Sequence, residues 1–110
     1  MTAASGPTTQ HTPADWWVTA DRASVAAREH LRAAESQPDL LHTLSEIGRA
    51  QASATIALGA AVNAMLASGQ PWDSIATALD HPGAEAAQRH TAGARSDAHR
   101  ALLARLDHHH

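Results

Sequence analysis

The sequence predicts an all-α fold, a small bundle of about four helices, and three observations support this prediction. Ala is the commonest apolar residue, and Phe and Tyr are absent. Runs of sheet-favouring aromatic and β-branched residues are missing. Four of the five prolines are followed within three residues by an acid. Because Pro suits the first helical position and an acid in the first turn complements the helix dipole, each such pair predicts a helix start.

The first predicted helix runs from about residue 13 to 35. Its apolar residues recur every three or four positions, as on a helix with one buried face. Adjacent side chains diverge by about 100° on a helix, so we expect one ring of Trp16 and Trp17 in the core and the other at an interface. The predicted stripe comprises Trp16 or Trp17, Ala20, Ala23, Ala27, Leu31 and Ala34.

The second predicted helix, 38–68, is unusually long, and its second half is small or apolar on nearly every face. We therefore expect other helices to surround that half. Gly48 and Gly59 each lower helix propensity by about 1 kcal/mol relative to Ala, a cost that close packing offsets, and Gly69 is expected to end the helix. The predicted buried stripe comprises Leu40, Leu44, Ile47, Gln51, Ala54, Leu58, Ala61 and Met65.

Two polar residues lie within this long helix, Glu46 and Asn63. Either can be a buried group that fixes helix register, but we expect both to face solvent or to bond locally. Beyond it, a short helix is predicted over 71–79 and a fourth over 82–106. The inward stripe of the fourth comprises Ala87, Thr91, Ala94, Ala98, Leu102 and either Leu106 or Arg105.

The 110 residues fit one domain. We expect a disordered leader over 1–12, a helical domain over 13–107 and an affinity-tag remnant over 108–110. Cys is absent and no secretion signal is visible, which favours the cytoplasm. The stretch 51–72 is uncharged, but it is rich in Ala and polar residues, so we expect no membrane span.

Residues 69–90 carry the one functional pattern: a short helix, an Asp80–His81 turn, and a second helix with Ala86 packed inward. They resemble the helix-turn-helix segments of bacterial DNA-binding regulators. The resemblance covers about a fifth of the chain and implies a small DNA-binding transcriptional regulator or accessory protein. The implied DNA contacts are Gln88, Arg89 and His90, with Arg95 further along the helix. The residues at matching positions are Gly69, Trp72, Ile75, Ala76, Ala78, Leu79, Gln88 and Arg89.

An alternative function is an all-helical protein–protein interaction module, an adaptor or inhibitory subunit, without DNA binding. Asp80 stands where Gly is usual, residues 82–84 offer no side-chain hydrogen bond to a base, and Glu85 repels phosphate. The net charge of −3 also lacks the basic excess typical of DNA-binding proteins. Under either function we expect a homodimer through the two long helices, because small neighbours cannot bury every face of an Ala-rich helix.

Neither an enzyme nor a metal or cofactor site is expected. The sequence holds no nucleophile motif and no Gly-rich phosphate loop. Its His residues are scattered without the paired spacing that metal sites show.

Overall fold

The chain forms four α-helices in the computed structural model, which describes residues 11–107 and contains no strand within that range. They are α1 (Pro13–Glu35), α2 (Leu40–Ala67), α3 (Trp72–Ala78) and α4 (Ala84–Asp107). The predicted all-α bundle of about four helices is therefore confirmed. The predicted leader, apart from its last two residues, and the predicted tag remnant at 108–110 lie outside the described residues.

Helix starts follow the prolines less closely than the sequence predicts. Pro13 does open α1, behind a capping box in which the Asp15 backbone N–H donates to Thr12 Oγ1 at 3.1 Å. Thr12 thus belongs to the helical domain and not to the leader. In α2 the cap is Asp39, which accepts from the His42 N–H at 2.9 Å. The other two prolines likewise precede their helices, because α3 and α4 begin at Trp72 and Ala84.

The end of α2 matches its prediction. Gly69 follows the Ser68 cap with a φ of +90°, the left-handed conformation that Gly adopts without steric cost. Its N–H donates to Leu66 O at 3.0 Å, and the next N–H, of Gln70, donates to Met65 O at 2.9 Å. These two bonds form a Schellman motif and end the helix.

Helices α1 and α2 pack side by side as an antiparallel hairpin, and α4 lies across one side of it. The core joins the start of α1, the end of α2 and the end of α4. The Cα extents are 58 × 42 × 18 Å and the radius of gyration is 16.0 Å, against about 13 Å for a compact domain of this length. The domain is therefore flat and elongated. Its main buried cluster comprises Trp16, Ala20, Ala60, Ala64, Ala98 and Leu102.

Gly59 sets how closely α4 approaches α2. A Cβ at this position would lie 1.9 Å from Ala94 O and 2.7 Å from the Arg95 backbone N. Only the absence of a side chain lets the two backbones come this near. Gly48, the other glycine within α2, has nothing within 4 Å of a Cβ position, so close packing offsets the helix cost of Gly59 alone.

The predicted inward stripe of α2 is wrong over most of its length. Leu40, Leu44 and Ile47 are 85%, 65% and 44% exposed, and Leu31 on α1 is also exposed. The reason is that α1 and α4 approach closely, so the small face of α2 packs and its large residues remain outside. The buried residues of α2 are Ala50, Gly59, Ala60, Val62, Asn63 and Ala64.

The inward stripes of the other helices agree better with the sequence. In α4 the buried residues are Ala87, Thr91, Ala94, Ala98 and Leu102, as predicted, with Leu106 packed partly buried against the core. In α1 the Trp16 ring is buried, whereas Trp17 is 49% exposed. One ring in the core is thus confirmed, and an interface at Trp17 remains a prediction.

Candidate functional site

Helices α3 and α4 carry the segment with the helix-turn-helix pattern. The side chains of Ile75 and Ala76 are buried beneath α3. Asp80 follows with a φ of 61°, a left-handed conformation that Asp tolerates. The His81 N–H donates to Ala76 O at 2.9 Å and closes the turn. The position where Gly is usual is therefore left-handed here too.

The residue that packs in this corner is Ala87, which is fully buried, and not Ala86, which is half-buried. The turn is longer than the sequence suggests, because α4 begins at Ala84 and not at Pro82. The inward face of α4 begins at Ala87. Thr91 continues this face, and its hydroxyl donates to Ala87 O at 2.7 Å.

Gln88, Arg89 and His90 are all exposed near the start of α4. The Arg89 guanidinium lies 3.2 Å from Glu85 one turn earlier. The His90 ring stacks on the His81 ring with centroids 4.6 Å apart. Of the four residues that the resemblance implies, these three share one region of the surface.

Arg95, the fourth implied DNA contact, is half-buried and bonds to another helix. Its Nε donates to Asn63 Oδ1 at 2.6 Å, and its guanidinium is 5.4 Å from the centroid of the Trp72 ring. Asn63 is buried and also donates to Arg95 O at 3.4 Å. The expectation that Asn63 faces solvent or bonds locally is therefore wrong, because this pair joins α2, α3 and α4.

Acids neutralise the outer surface of α4. Arg89 pairs with Glu85, and Arg100 pairs with Asp97. Arg105 turns towards α1, where its Nη2 donates to Asp15 O at 3.2 Å. The two arginines on the outer surface of α4, Arg89 and Arg100, are thus paired with acids, which weakens the positive potential there that would attract a phosphate backbone.

A second feature is an apolar surface on the hairpin. Its members on α1 are Trp17 and Leu31. Residues nine positions apart on a helix point in opposite directions, because nine steps of about 100° amount to two and a half turns. Ile56 and Asn63 face α4, so Ile47 and Ala54, nine residues earlier, face away from it. The surface thus lies on the side that α4 leaves uncovered. We call it the hairpin face: Trp17, Leu31, Leu40, Leu44, Ile47 and Leu58, all exposed.

One ion-pair cluster fixes the hairpin beside this face. His30 Nδ1 donates to Glu46 Oε1 at 2.9 Å, and Arg49 lies 3.5 Å from the same oxygen. The bond from His30 holds the pKa of the Glu46 carboxyl below its ordinary value, and the charges of His30 and Arg49 act in the same direction. Glu46, expected to face solvent or bond locally, instead links α2 to α1.

Comparison with family models, with curated proteins and with solved structures finds no match to this chain. One helix, α2, is long and apolar enough to cross a membrane by length and composition. The core helix of a soluble protein meets the same criterion, so this finding assigns no location. The chemistry of the surfaces described above carries the functional argument.

Proposed function

We propose that this protein is an all-helical interaction module that assembles with a second copy of itself through the hairpin face. The observation that carries the proposal is the spacing of one face of α2, whose members are exposed from Leu40 to Leu58 and half-buried at Ala61 and Met65. Leu40, Leu44, Ile47, Gln51, Ala54, Leu58, Ala61 and Met65 are separated alternately by four and three residues. This is the heptad spacing of a coiled-coil seam.

Charge supports a second copy as the occupant. No member of the heptad series is charged, and neither are the residues at the e and g positions that flank it on α2, such as Leu41, Gly48 and Thr55. Flanking charges normally set partner choice in coiled coils, so nothing here favours a partner of opposite charge over an identical chain. Gln51 at the middle of the series would align with its own copy and favour one register.

The size of the face supports the same occupant. Helix α2 has 28 residues, which corresponds to a length of about 40 Å. Two neighbouring helices, each about 10 Å wide, thus offer on the order of 800 Å², about the area that each partner buries in a stable interface. A two-fold dimer would cover this face on both copies.

The test is the molar mass in solution, measured by light scattering over a concentration series. We expect a dimer for the wild type and a monomer for Leu44→Glu combined with Ile47→Glu. Leu103→Glu is the matched control, since Leu103 is an exposed leucine on α4 outside the face, and it should remain a dimer. A wild-type monomer at every concentration, or a monomer that sediments with zwitterionic lipid vesicles, would overturn the proposal.

DNA binding through α3 and α4 is a second candidate function. It is favoured by the left-handed turn at Asp80 and by the shared exposure of Gln88, Arg89 and His90. If Arg89 contacts a base edge, Arg89→Ala should weaken specific binding by about 1–3 kcal/mol. Fluorescence anisotropy with genomic fragments across a salt series measures this, and a flat response at low salt would exclude the candidate.

A further inference from the structure

A cleft of about 390 Å³ lies between α1, α2 and the end of α4, on the side of the hairpin that α4 covers. Its polar lining is Thr19, Arg22, Ser53 and Arg105, and its walls are alanines together with Ile56. The volume falls within the range of about 300–1,000 Å³ that small-molecule pockets occupy. The cleft is separate from both surfaces considered above.

Arg105 enters this cleft without an acidic partner. Its Nη2 donates to Asp15 O at 3.2 Å and to Thr19 Oγ1 at 3.4 Å, both neutral acceptors. Its Nε is buried and has no acceptor among the described residues. The Asp15 carboxylate accepts from the Thr12 N–H at 3.3 Å in the capping box of α1. A buried donor without an acceptor is rare in folded proteins and calls for a specific explanation.

Arg22 brings a second positive charge to the same cleft. Within residues 11–107 it forms no ion pair, and no acidic side chain lines the cleft. Two guanidinium groups in one partly enclosed space attract an anion, and their planar geometry suits the oxygens of a carboxylate or a phosphate. The small apolar side chains beside them favour an anion with a short hydrocarbon part.

We infer that this cleft binds a small organic anion. Its oxyanion head, a carboxylate or a phosphate, contacts Arg105 and Arg22, and the Ser53 hydroxyl lies within the same lining. Its short apolar body packs on the alanine walls and on Ile56. The inference goes beyond self-association and does not depend on it.

The test is a ¹⁵N–¹H NMR titration of the full chain with hexanoate, hexyl phosphate and hexanamide. We expect saturable shifts at Ala23, Ile56 and Ala101 with one or both anions, and the tighter of the two assigns the head group. Hexanamide has the same body as hexanoate without the charge and should produce no saturable shift. Failure of both anions to saturate, or equal binding of hexanamide, would overturn the inference.

Variants separate ligand binding from folding. Arg105→Gln should weaken the anion about tenfold or more by removing a charge-assisted contact. Arg22→Gln is the second variant, because the Arg22 side chain is exposed and forms no hydrogen bond within residues 11–107 whose loss would disturb the fold. Arg100→Gln is the matched control, since Arg100 pairs with Asp97 on the outer surface of α4. Unchanged affinity in both Arg22→Gln and Arg105→Gln would overturn the inference.

The same titration on Leu44→Glu keeps the two proposals distinct. We expect that variant to bind the anion like the wild type, because Leu44 lies on the uncovered side of the hairpin. Loss of anion binding in Leu44→Glu would contradict the independence of the cleft from assembly.

Discussion

The two halves of α2 have opposite surroundings. The C-terminal half, around Gly59 and Asn63, is enclosed by α1 and α4, whereas the N-terminal half, around Leu44 and Gly48, leaves much of its surface uncovered. The enclosed half buries mainly small residues, whereas the large apolar residues of the other half remain exposed. In this helix, therefore, side-chain size determines how near a neighbour can come, and apolar character alone does not determine burial.

The largest expected effect tests the enclosed half. Gly59→Ala places a methyl group against the Ala94 carbonyl of α4, and backbone atoms cannot yield as a flexible side chain would. We expect a loss of about 3 kcal/mol in the free energy of unfolding, the upper end for overpacking, measured by urea denaturation. A loss below about 0.5 kcal/mol, within the range of ordinary surface substitutions, would mean that α4 is not held this close.

The second effect compares one amide in each half. Asn63→Ala removes the acceptor of Arg95 Nε and should cost about 2 kcal/mol, as for hydrogen bonds to charged groups. Gln51→Ala, on the exposed half, should change the stability of a monomer by a few tenths of a kcal/mol at most. Both are measured by urea denaturation in the background of Leu44→Glu combined with Ile47→Glu, so that association does not contribute. Equal effects of the two substitutions would remove the distinction between the halves.

A third prediction is a change in the free energy of unfolding opposite in sign to that of Gly59→Ala. Gly48→Ala meets no atom within 4 Å, so only helix propensity changes. We expect it to stabilise the protein by up to about 1 kcal/mol, measured by denaturation in the same background. Destabilisation would indicate that something packs on this position.

The smallest expected effect concerns pH at the exposed half. Folding lowers the pKa of Glu46, so its bonds to His30 and Arg49 stabilise the hairpin above the ordinary carboxyl pKa, about 4.3. This contribution is lost as the pH falls through the lowered pKa. The protection factors for hydrogen exchange at residues 43–49, which correct for the pH dependence of the intrinsic exchange rate, should therefore fall on acidification more in the wild type than in Glu46→Gln. An identical pH response in the two proteins would contradict a role for this cluster.

The sequence predicted the helices well and the faces of α2 poorly. In α4 only one face is apolar, so the series from Ala87 to Leu102 could be predicted from spacing alone. In α2 two faces are apolar, and periodicity cannot tell which one a neighbour covers. The large residues outweigh Ala and Gly in any pattern based on hydrophobicity, although the small residues form the contact.

The candidate sites were predictable only in part. The left-handed turn at Asp80 lies where the helix-turn-helix pattern usually has Gly, so the local pattern indicates it. The pairing of Asn63 with Arg95 was not, because it depends on how α2 and α4 cross, 32 residues apart in the chain. The cleft at Arg22 and Arg105 likewise joins residues whose proximity no local signal indicates.

The contact between Arg105 and Asp15 also bears on how the chain is connected. It brings together residues 90 positions apart, so the start of α1 and the end of α4 are neighbours. A short linker joining these ends, with new termini opened in the exposed turn between α1 and α2, would preserve every helix. Such a circular permutant would retain the same core while making α4 and α1 consecutive in sequence. The order of the helices along the chain is thus separable from their arrangement in space.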